Sequence, residues 1–231
     1  MSGGISVNKK NIHIILSLLI FSLAVSFIDA FVKPNYFVKI PIKILFFLVL
    51  PMLFFLIYKE DFKQFKNLFA FKKGGFVKAL LLALGVYGVI VGGYFLTRNI
   101  IDYSNVTTSL TGGMGITAEN FIYVALYISL MNSFLEEFFF RGYGFITLKK
   151  FTNRKFAYIF SSAMFALYHA GMLWGMFGVL GLVLIFTGLV IGGCIFSYLN
   201  ESNDNIYPSW FVHMFANFAI NTVGFILFGV I

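Results

Sequence analysis

The sequence predicts an all-α membrane protein, a polytopic bundle of about seven transmembrane helices around a polar intramembrane cavity. Of its 231 residues, 60% are hydrophobic and only 11% are charged, and the mean hydropathy is +0.91. Soluble globular chains carry roughly 25% charged residues. A soluble domain is therefore excluded, as are a disordered chain and a collagen. Cys194 is the single cysteine, so a disulfide scaffold is excluded too. We expect residues 1–231 to form one transmembrane domain.

Seven apolar runs approach the roughly 20 residues that a spanning helix needs. They lie near Ile12–Ile28, Ile40–Tyr58, Phe76–Leu96, Glu119–Phe140, Phe156–Trp174, Phe177–Tyr198 and Ser209–Ile231. Only Gly175-Met176 separates the fifth run from the sixth, which predicts a tight helical hairpin. The first run also has the features of a signal peptide. Because more apolar runs follow it at once, an uncleaved first helix is favoured.

The positions of the cations predict the orientation of the chain. Thirteen of the 17 Lys and Arg residues lie on the side shared by the N-terminus and the loops after spans two, four and six. The other four are Lys33, Lys39, Lys43 and Arg98. Cytoplasmic segments carry an excess of Lys and Arg, so the N-terminus is expected in the cytoplasm and the C-terminus outside. Short basic stretches between apolar runs also argue against nucleic-acid binding, despite a net charge of +8.

Two segments between the spans are more polar. Lys59–Lys73 places aromatic and leucine side chains at helical spacing among lysines. It predicts either a helix on the cytoplasmic surface or an ordinary basic loop. Thr97–Thr117 contains Gly112-Gly113 and predicts an external loop.

Ionisable residues inside membrane helices are costly and usually functional. Here they are concentrated in three of the predicted spans. Span four ends in Glu136-Glu137-Phe138-Phe139-Phe140-Arg141, span five contains His169, and span seven contains His213. A polar site shared by these three helices is therefore expected.

Helical geometry separates the two adjacent glutamates. Glu137 and Arg141 are four residues apart, so they share a face and are expected to form an ion pair. Glu136 points elsewhere, on a stripe with the small or polar residues Ser129, Asn132 and Ser133. Glu136 is therefore predicted to be free of a partner and available as a general base.

The other two helices supply matching polar faces. Phe165 shares a face with His169, and His213, Asn217 and Asn221 repeat every four residues. Glu136, with His169, would take a proton from water, while His213 and Asn217 would stabilise a developing oxyanion. The depth of His213 matches that of Glu136 and His169 less well, because His213 lies near the start of its predicted span. Either the Asn200–Tyr207 loop dips into a cavity or the helix boundary is wrong. The spacing alone also permits an ion path, a Zn²⁺ or Fe²⁺ site or a bis-histidine haem.

The three motifs together resemble those of the CPBP family, the CAAX proteases and bacteriocin-processing enzymes, also called the Abi family. The residues that carry the resemblance are Glu136-Glu137-x-x-x-Arg141, Phe165-x-x-x-His169 and His213-x-x-x-Asn217. They lie within a motif-bearing core of about 119–221. The resemblance implies a glutamate-dependent intramembrane endopeptidase that cleaves near the cytoplasmic side, with no covalent intermediate, no cofactor and no required metal. It assigns water activation to Glu136 and His169, the oxyanion to His213 and Asn217, and support to Glu137 and Arg141.

The resemblance also implies a helical bundle with a cavity open toward the cytoplasm and the bilayer. The expected partners are the lipid bilayer and a peptide or membrane-associated protein substrate: a CAAX-type protein, a bacteriocin leader or a signalling peptide. A bacterial cell membrane is the expected location. Two other functions stay open at this stage. They are a non-catalytic immunity or scaffold protein that binds a peptide, and a zinc-dependent membrane hydrolase.

Overall fold

A computed structural model describes residues 9–59, 62–70, 76–202 and 204–231. Within these ranges the chain forms helices and no strand. Seven of the helices are long and apolar enough to cross a membrane, by length and composition. The predicted fold class, an all-α bundle of about seven spans, is confirmed.

Nine helices follow one another along the described residues, counting each span as one helix. In chain order they are α1 (Lys9–Val32), α2 (Tyr36–Ile57), α3 (Phe62–Leu68), α4 (Phe76–Thr97), α5 (Ser104–Met114), α6 (Phe121–Lys150), α7 (Arg154–Leu173), α8 (Val179–Glu201) and α9 (Tyr207–Leu227). Helices α3 and α5 are too short to span a membrane; the other seven are the spans. The short connection between α7 and α8 makes them the predicted hairpin.

Helix α6 is the centre of the bundle. It continues ten residues past the predicted end at Phe140, and it contains π-helical turns at Ile128–Asn132 and Glu137–Thr147. Every residue of the second π-helical segment is buried. Such turns widen a helix and occur often at functional sites. Here they flank the short α-helical turn that carries Glu136.

Small residues let two neighbouring helices cross closely. A Cβ placed on Gly171 of α7 would lie 1.8 Å from the carbonyl oxygen of Ser26 in α1, so only glycine fits there. The Ser26 hydroxyl accepts a hydrogen bond from the Gly171 backbone N–H, at 2.9 Å. Close crossings at small residues are the usual way in which membrane helices pack.

One end of the bundle, which we call the basic end, holds the starts of α1 and α7 and the ends of α2 and α6. It is filled by an aromatic core, each member of which is at most 1% exposed: Phe47, Phe54, Phe55, Phe138, Phe139, Phe140, Tyr143 and Phe145. Adjacent rings make stacked and edge-on contacts, including Phe47 with Phe139 at 4.6 Å between centroids. This core separates Glu136 from the basic end.

The opposite end of the bundle contains a helix where a loop was predicted. Helix α5 lies inside Thr97–Thr117, so the loop prediction was wrong for this part. The Asp102 carboxylate accepts a hydrogen bond from the backbone N–H of Ser104, the first residue of α5, at 2.8 Å. Hydrogen bonding by Ser104 lowers the pKa of Asp102 below its ordinary value. The helix ends at Gly115, whose φ of 67° lies in the left-handed region that favours glycine.

The basic segment after α2 contains a helix, as one of its two interpretations predicted. Helix α3 packs on the protein through Leu68, which is fully buried, and through Gln64, which donates to the Thr147 hydroxyl at 3.1 Å. Lys72 and Lys73 of this segment lie outside the described residues. Two cations counted as orientation signals, Lys39 and Lys43, are instead buried within α2.

Candidate active site

The Glu136 carboxylate lies near the middle of α6 and its residue is 1% exposed. One of its oxygens, Oε1, is held by two donors. The Tyr168 hydroxyl donates to it at 2.7 Å, and the Asn132 amide donates at 2.5 Å. Because both donors come from spanning helices, this oxygen is fixed in position.

Lys43 of α2 supports both of those donors. Its ammonium donates to the Tyr168 hydroxyl oxygen at 2.6 Å and to Asn132 Oδ1 at 2.9 Å. It also lies 3.9 Å from Glu136 Oε1. A buried cation needs a nearby anion and acceptors, and Lys43 has both. Lys43, Tyr168, Asn132 and Glu136 thus form one hydrogen-bonded group.

The second oxygen, Oε2, faces two imidazoles. His169 Nε2 is 3.9 Å from it and His213 Nε2 is 3.7 Å from it. These distances are longer than a hydrogen bond, and a polar separation of this size is suited to a bridging water. His169 is oriented by its Nδ1, which lies 2.7 Å from the Phe165 carbonyl oxygen. Since a carbonyl oxygen only accepts, Nδ1 carries the proton.

Glu137 binds the other side of His213. Its Oε1 is 2.9 Å from His213 Nδ1 and 3.5 Å from the Arg141 guanidinium. Its Oε2 accepts a hydrogen bond from the Ser209 hydroxyl. The predicted Glu137–Arg141 ion pair is therefore present, and Glu137 also holds His213 in place.

Arg141 is fully buried between aromatic rings. Its guanidinium lies 4.1 Å from the centroid of the Phe165 ring and 5.1 Å from that of Phe196. Cation–π contacts of this kind favour a desolvated guanidinium. The Phe165 ring also packs against the His169 imidazole, with 4.8 Å between centroids.

The prediction that Glu136 is free of partners was wrong. Tyr168 and Lys43 were not part of the predicted stripe, because both come from other helices. The stripe itself is partly correct, since Asn132 does contact Glu136. Both glutamates have partners. They differ because the hydrogen-bond donors of Glu136 leave its Oε2 available for chemistry, whereas both oxygens of Glu137 are occupied.

The asparagines of α9 connect it to α6. Asn217 donates to the Ile128 carbonyl oxygen at 3.2 Å, and Asn221 donates to the Ala125 carbonyl oxygen at 3.1 Å. The structure therefore brings Glu136, His169 and His213 together, whereas Asn217 contacts the α6 backbone two turns away from Glu136.

The depth of His213 is explained by a buried helix start. The segment before α9 dips into the protein, since Asn205 is 1% exposed and Ile206 is fully buried. The backbone N–H of Ile206 donates to the carbonyl oxygen of Leu68 in α3, at 3.1 Å. Of the two explanations open from the sequence, the dipping loop is the correct one.

Sequence reasoning missed three residues of the site: Lys43, Tyr168 and Ser209. A signal for Lys43 was available, because it is an ionisable residue inside an apolar run. The hydroxyls of Tyr168 and Ser209 had no such signal. A tyrosine does not stand out in a chain this rich in aromatic residues, and a serine is not ionisable. Among the described residues, no group of three or more His, Cys, Asp or Glu side chains is arranged to hold a metal ion.

Comparison with known proteins identifies the motif-bearing part of the chain. Residues 118–219 match the model of the family described as type II CAAX prenyl endopeptidase Rce1-like. The match covers somewhat less than half of the chain and confirms the resemblance that the three motifs carry. It indicates a CAAX-type endopeptidase embedded in the membrane. No curated protein and no solved structure matched the chain.

Proposed function

We propose that this protein is a glutamic intramembrane endopeptidase in which Glu136 activates water, with no covalent intermediate. The observation that carries the proposal is the division of labour between the two oxygens of Glu136. Oε1 is held by Tyr168 and Asn132, while Oε2 faces the Nε2 atoms of His169 and His213 at 3.9 and 3.7 Å. A water that lies between Oε2 and these two Nε2 atoms would contact a carboxylate and two imidazoles at once.

In the first step, Oε2 takes a proton from this water as its oxygen bonds to the carbon of the scissile carbonyl. His169, whose Nδ1 proton is directed to the Phe165 carbonyl oxygen, presents the lone pair of its Nε2 to the water. The carbonyl oxygen becomes an oxyanion. In the second step the carbon–nitrogen bond breaks, and the proton held by Glu136 passes to the leaving amine.

His213 is proposed to stabilise the oxyanion. Glu137 Oε1 lies 2.9 Å from His213 Nδ1 and holds the ring so that its Nε2 is directed into the site, where an N–H at this atom would donate to the oxyanion. Asn217 is the proposed second donor. Its amide has two N–H groups, of which one is used by Ile128. Donors preorganised at an oxyanion are usually among the largest contributions to catalysis.

The proposed substrate is a peptide or a membrane-associated protein: a bacteriocin leader, a signalling peptide or a CAAX-type protein. We propose that the N-terminus is in the cytoplasm, because the basic residues are concentrated in segments on that side. A bacterial cell membrane is the proposed location. Neither cofactor nor metal is assigned a role.

The test compares peptide termini by mass spectrometry in cells that carry the native chain or the Glu136→Gln variant. Gln keeps the size of the side chain and its place beside Tyr168, but it cannot take a proton. We expect a defined set of termini to disappear. Glu119→Gln is the matched control, because Glu119 is exposed and should leave those termini unchanged.

Identical termini in the native and Glu136→Gln cells, at equal protein levels, would contradict the proposal. Loss of the cellular phenotype alone would not support it, because a binding or immunity protein would also depend on an intact site. Disappearance of the termini identifies the substrate and the cleaved bond together.

A further inference from the structure

We propose that a cavity beside α5 binds the phosphate head group of an anionic phospholipid. This α5 cavity has a volume of about 260 Å³, and its lining includes Asp29, Lys33, Lys39, Thr108, Ser109 and Trp174. It lies at the end of the bundle opposite the basic end. The groups that surround Glu136 are not among the described residues of this lining, so the inference does not depend on the proposed function.

Two charged side chains are buried in the wall of the α5 cavity. The Lys39 ammonium lies 2.8 Å from the Asp29 carboxylate, and the two side chains are 5% and 3% exposed. Buried charges in membrane proteins are costly and usually functional. An ammonium has three N–H donors, of which Asp29 engages one, and Lys39 also lines the cavity. A ligand in the cavity can therefore accept a hydrogen bond from Lys39 without breaking the pair.

The lining of the α5 cavity carries a net charge of +1. Asp29 is the one acid among the described lining residues, and it is paired with Lys39. Lys33, which is exposed, supplies the charge in excess. This charge complements the single negative charge of a phosphodiester. A head group that adds an ammonium to the phosphate is neutral as a whole and should bind less well.

The α5 cavity lies at the depth where a bilayer has its phosphate groups. Lys33 directly follows Val32, the last residue of α1, and Trp174 directly follows Leu173, the last residue of α7. The ends of spanning helices mark the boundary of the hydrocarbon core. Trp174 is 74% exposed, and tryptophan is enriched at this boundary. A phospholipid is therefore the anion most available to the cavity.

The size and the polarity of the α5 cavity suit a head group and not a whole lipid. Its volume lies just below the roughly 300–1,000 Å³ that is usual for sites of drug-sized ligands. Thr108 and Ser109 offer hydroxyls that can donate to phosphate oxygens. The acyl chains would stay outside, where Phe31 and Val32, next to Lys33, are 74% and 61% exposed.

A bound head group would connect parts of the chain that lie far apart in sequence. Lys33 belongs to the turn between α1 and α2, whereas Thr108 and Ser109 belong to α5. A phosphate that contacts both would hold α5 against the α1–α2 turn. We therefore expect the lipid to stabilise the folded protein, because a ligand that binds only the folded state raises the unfolding temperature.

The first test measures lipid binding by native mass spectrometry of the full chain, purified in detergent. Dioleoyl phosphatidylglycerol is compared with dioleoyl phosphatidylethanolamine, which has the same chains and phosphodiester and an added ammonium. We expect one phosphatidylglycerol to bind at least threefold more tightly than phosphatidylethanolamine and to raise the thermal unfolding midpoint. Equal affinities for the two lipids would overturn the proposal.

Lys33→Asn tests whether the excess charge of the cavity is responsible. Asn tolerates the left-handed backbone at this position, where φ is 47°. The affinity for phosphatidylglycerol should fall about threefold, as expected for an exposed charge. Lys155→Asn is the matched control, since Lys155 is exposed at the basic end and removes the same charge. An equal loss in both variants would indicate unspecific attraction and would contradict the site.

Gly113→Leu tests the space of the cavity without changing its charge. Gly113 lines the cavity, and a Cβ there would meet no atom within 4 Å, so the variant is expected to fold. It should weaken binding of phosphatidylglycerol and abolish the rise in unfolding temperature. Gly188→Leu in α8, where a Cβ also meets no atom within 4 Å, should bind the lipid as the native chain does. Unchanged binding in Gly113→Leu, in protein that elutes as folded in gel filtration, would overturn the location.

Inorganic phosphate distinguishes the lipid from a free anion. It should neither displace phosphatidylglycerol nor raise the unfolding temperature, because it lacks the chains that pack beside Lys33. Displacement and equal stabilisation by inorganic phosphate would show that the site takes a free anion and would overturn the lipid. Glu136→Gln should bind phosphatidylglycerol unchanged, so this inference and the proposed function fail separately.

Discussion

At the scale of single residues, the site shows how two adjacent carboxylates acquire different tasks. Glu137 is surrounded by Arg141, His213 and Ser209, which occupy both of its oxygens. The donors of Glu136 converge on one oxygen only. The second oxygen is turned to the histidines, as a general base requires.

Lys43 is predicted to position Glu136 through Tyr168 and Asn132. Lys43→Met should lower the rate of cleavage, measured on the termini that depend on Glu136. A charge-assisted hydrogen bond contributes about 1.5–3 kcal/mol, which corresponds to a loss of about 10- to 100-fold. Lys43→Arg should retain part of the activity, because it keeps the charge.

Lys66→Met is the control for this prediction, because Lys66 is exposed on α3. Equal activity of Lys43→Met and the native chain would show that Tyr168 and Asn132 hold Glu136 without the ammonium. A loss of folded protein is detected separately, by gel filtration in detergent.

The residues that sequence reasoning could find were those that are rare in their surroundings. Glu136, His169 and His213 stand out because ionisable groups are costly in apolar helices. Tyr168 does not stand out among 12 tyrosines and 32 phenylalanines. Its role depends on which way the ring points, and this is determined by the packing of α7 against α6.

At the scale of helices, the sequence predicted where the spans lie along the chain, but not the depth at which each site residue lies in the bundle. Hydropathy located all seven spans, and every boundary except the end of α6 to within a few residues, because about 20 apolar residues are needed in every case. It could not reveal the π-helical turns of α6, since these depend on tertiary packing. Helix α5 was hidden by Gly112-Gly113, which is typical of a loop.

The crossing of α1 and α7 should tolerate no side chain at Gly171. Gly171→Ala would place a methyl group 1.8 Å from the Ser26 carbonyl oxygen, so the helices would have to separate. We expect a loss of about 1–3 kcal/mol, the usual cost of overpacking. The measurement is the thermal unfolding midpoint in detergent.

Gly188→Ala in α8 is the matched control, because a Cβ there would meet no atom within 4 Å. This variant should unfold at the same temperature as the native protein or slightly above it, since Ala favours helix over Gly. A similar drop in both variants would contradict the role of the close crossing.

At the scale of the whole molecule, the Rce1-like segment does not account for the complete site. Residues 118–219 contain the acid, histidine and asparagine motifs. Lys43 and the Asp29–Lys39 pair belong to α1 and α2, which precede that segment. The first two helices therefore complete the surroundings of Glu136.

Replacing one member of the Asp29–Lys39 pair should destabilise the protein, whereas replacing both members together should cost little. The two groups lie 2.8 Å apart with side chains that are 3% and 5% exposed. Asp29→Leu alone would leave a buried ammonium without a partner, at a cost of about 3–5 kcal/mol. Asp29→Leu with Lys39→Met should recover most of that loss in thermal unfolding. Additive losses in the double variant would rule out a direct pair.

The same pair has a consequence for how the chain enters the membrane during synthesis. A charged side chain raises the free energy of inserting an isolated spanning helix, by about 2.5–3.5 kcal/mol at the helix centre and by less near its ends. Asp29 and Lys39 lie at facing ends of α1 and α2, joined by a turn of only a few residues. We expect the two helices to leave the translocon together as a neutral hairpin, before the helices that carry Glu136, His169 and His213 have been made.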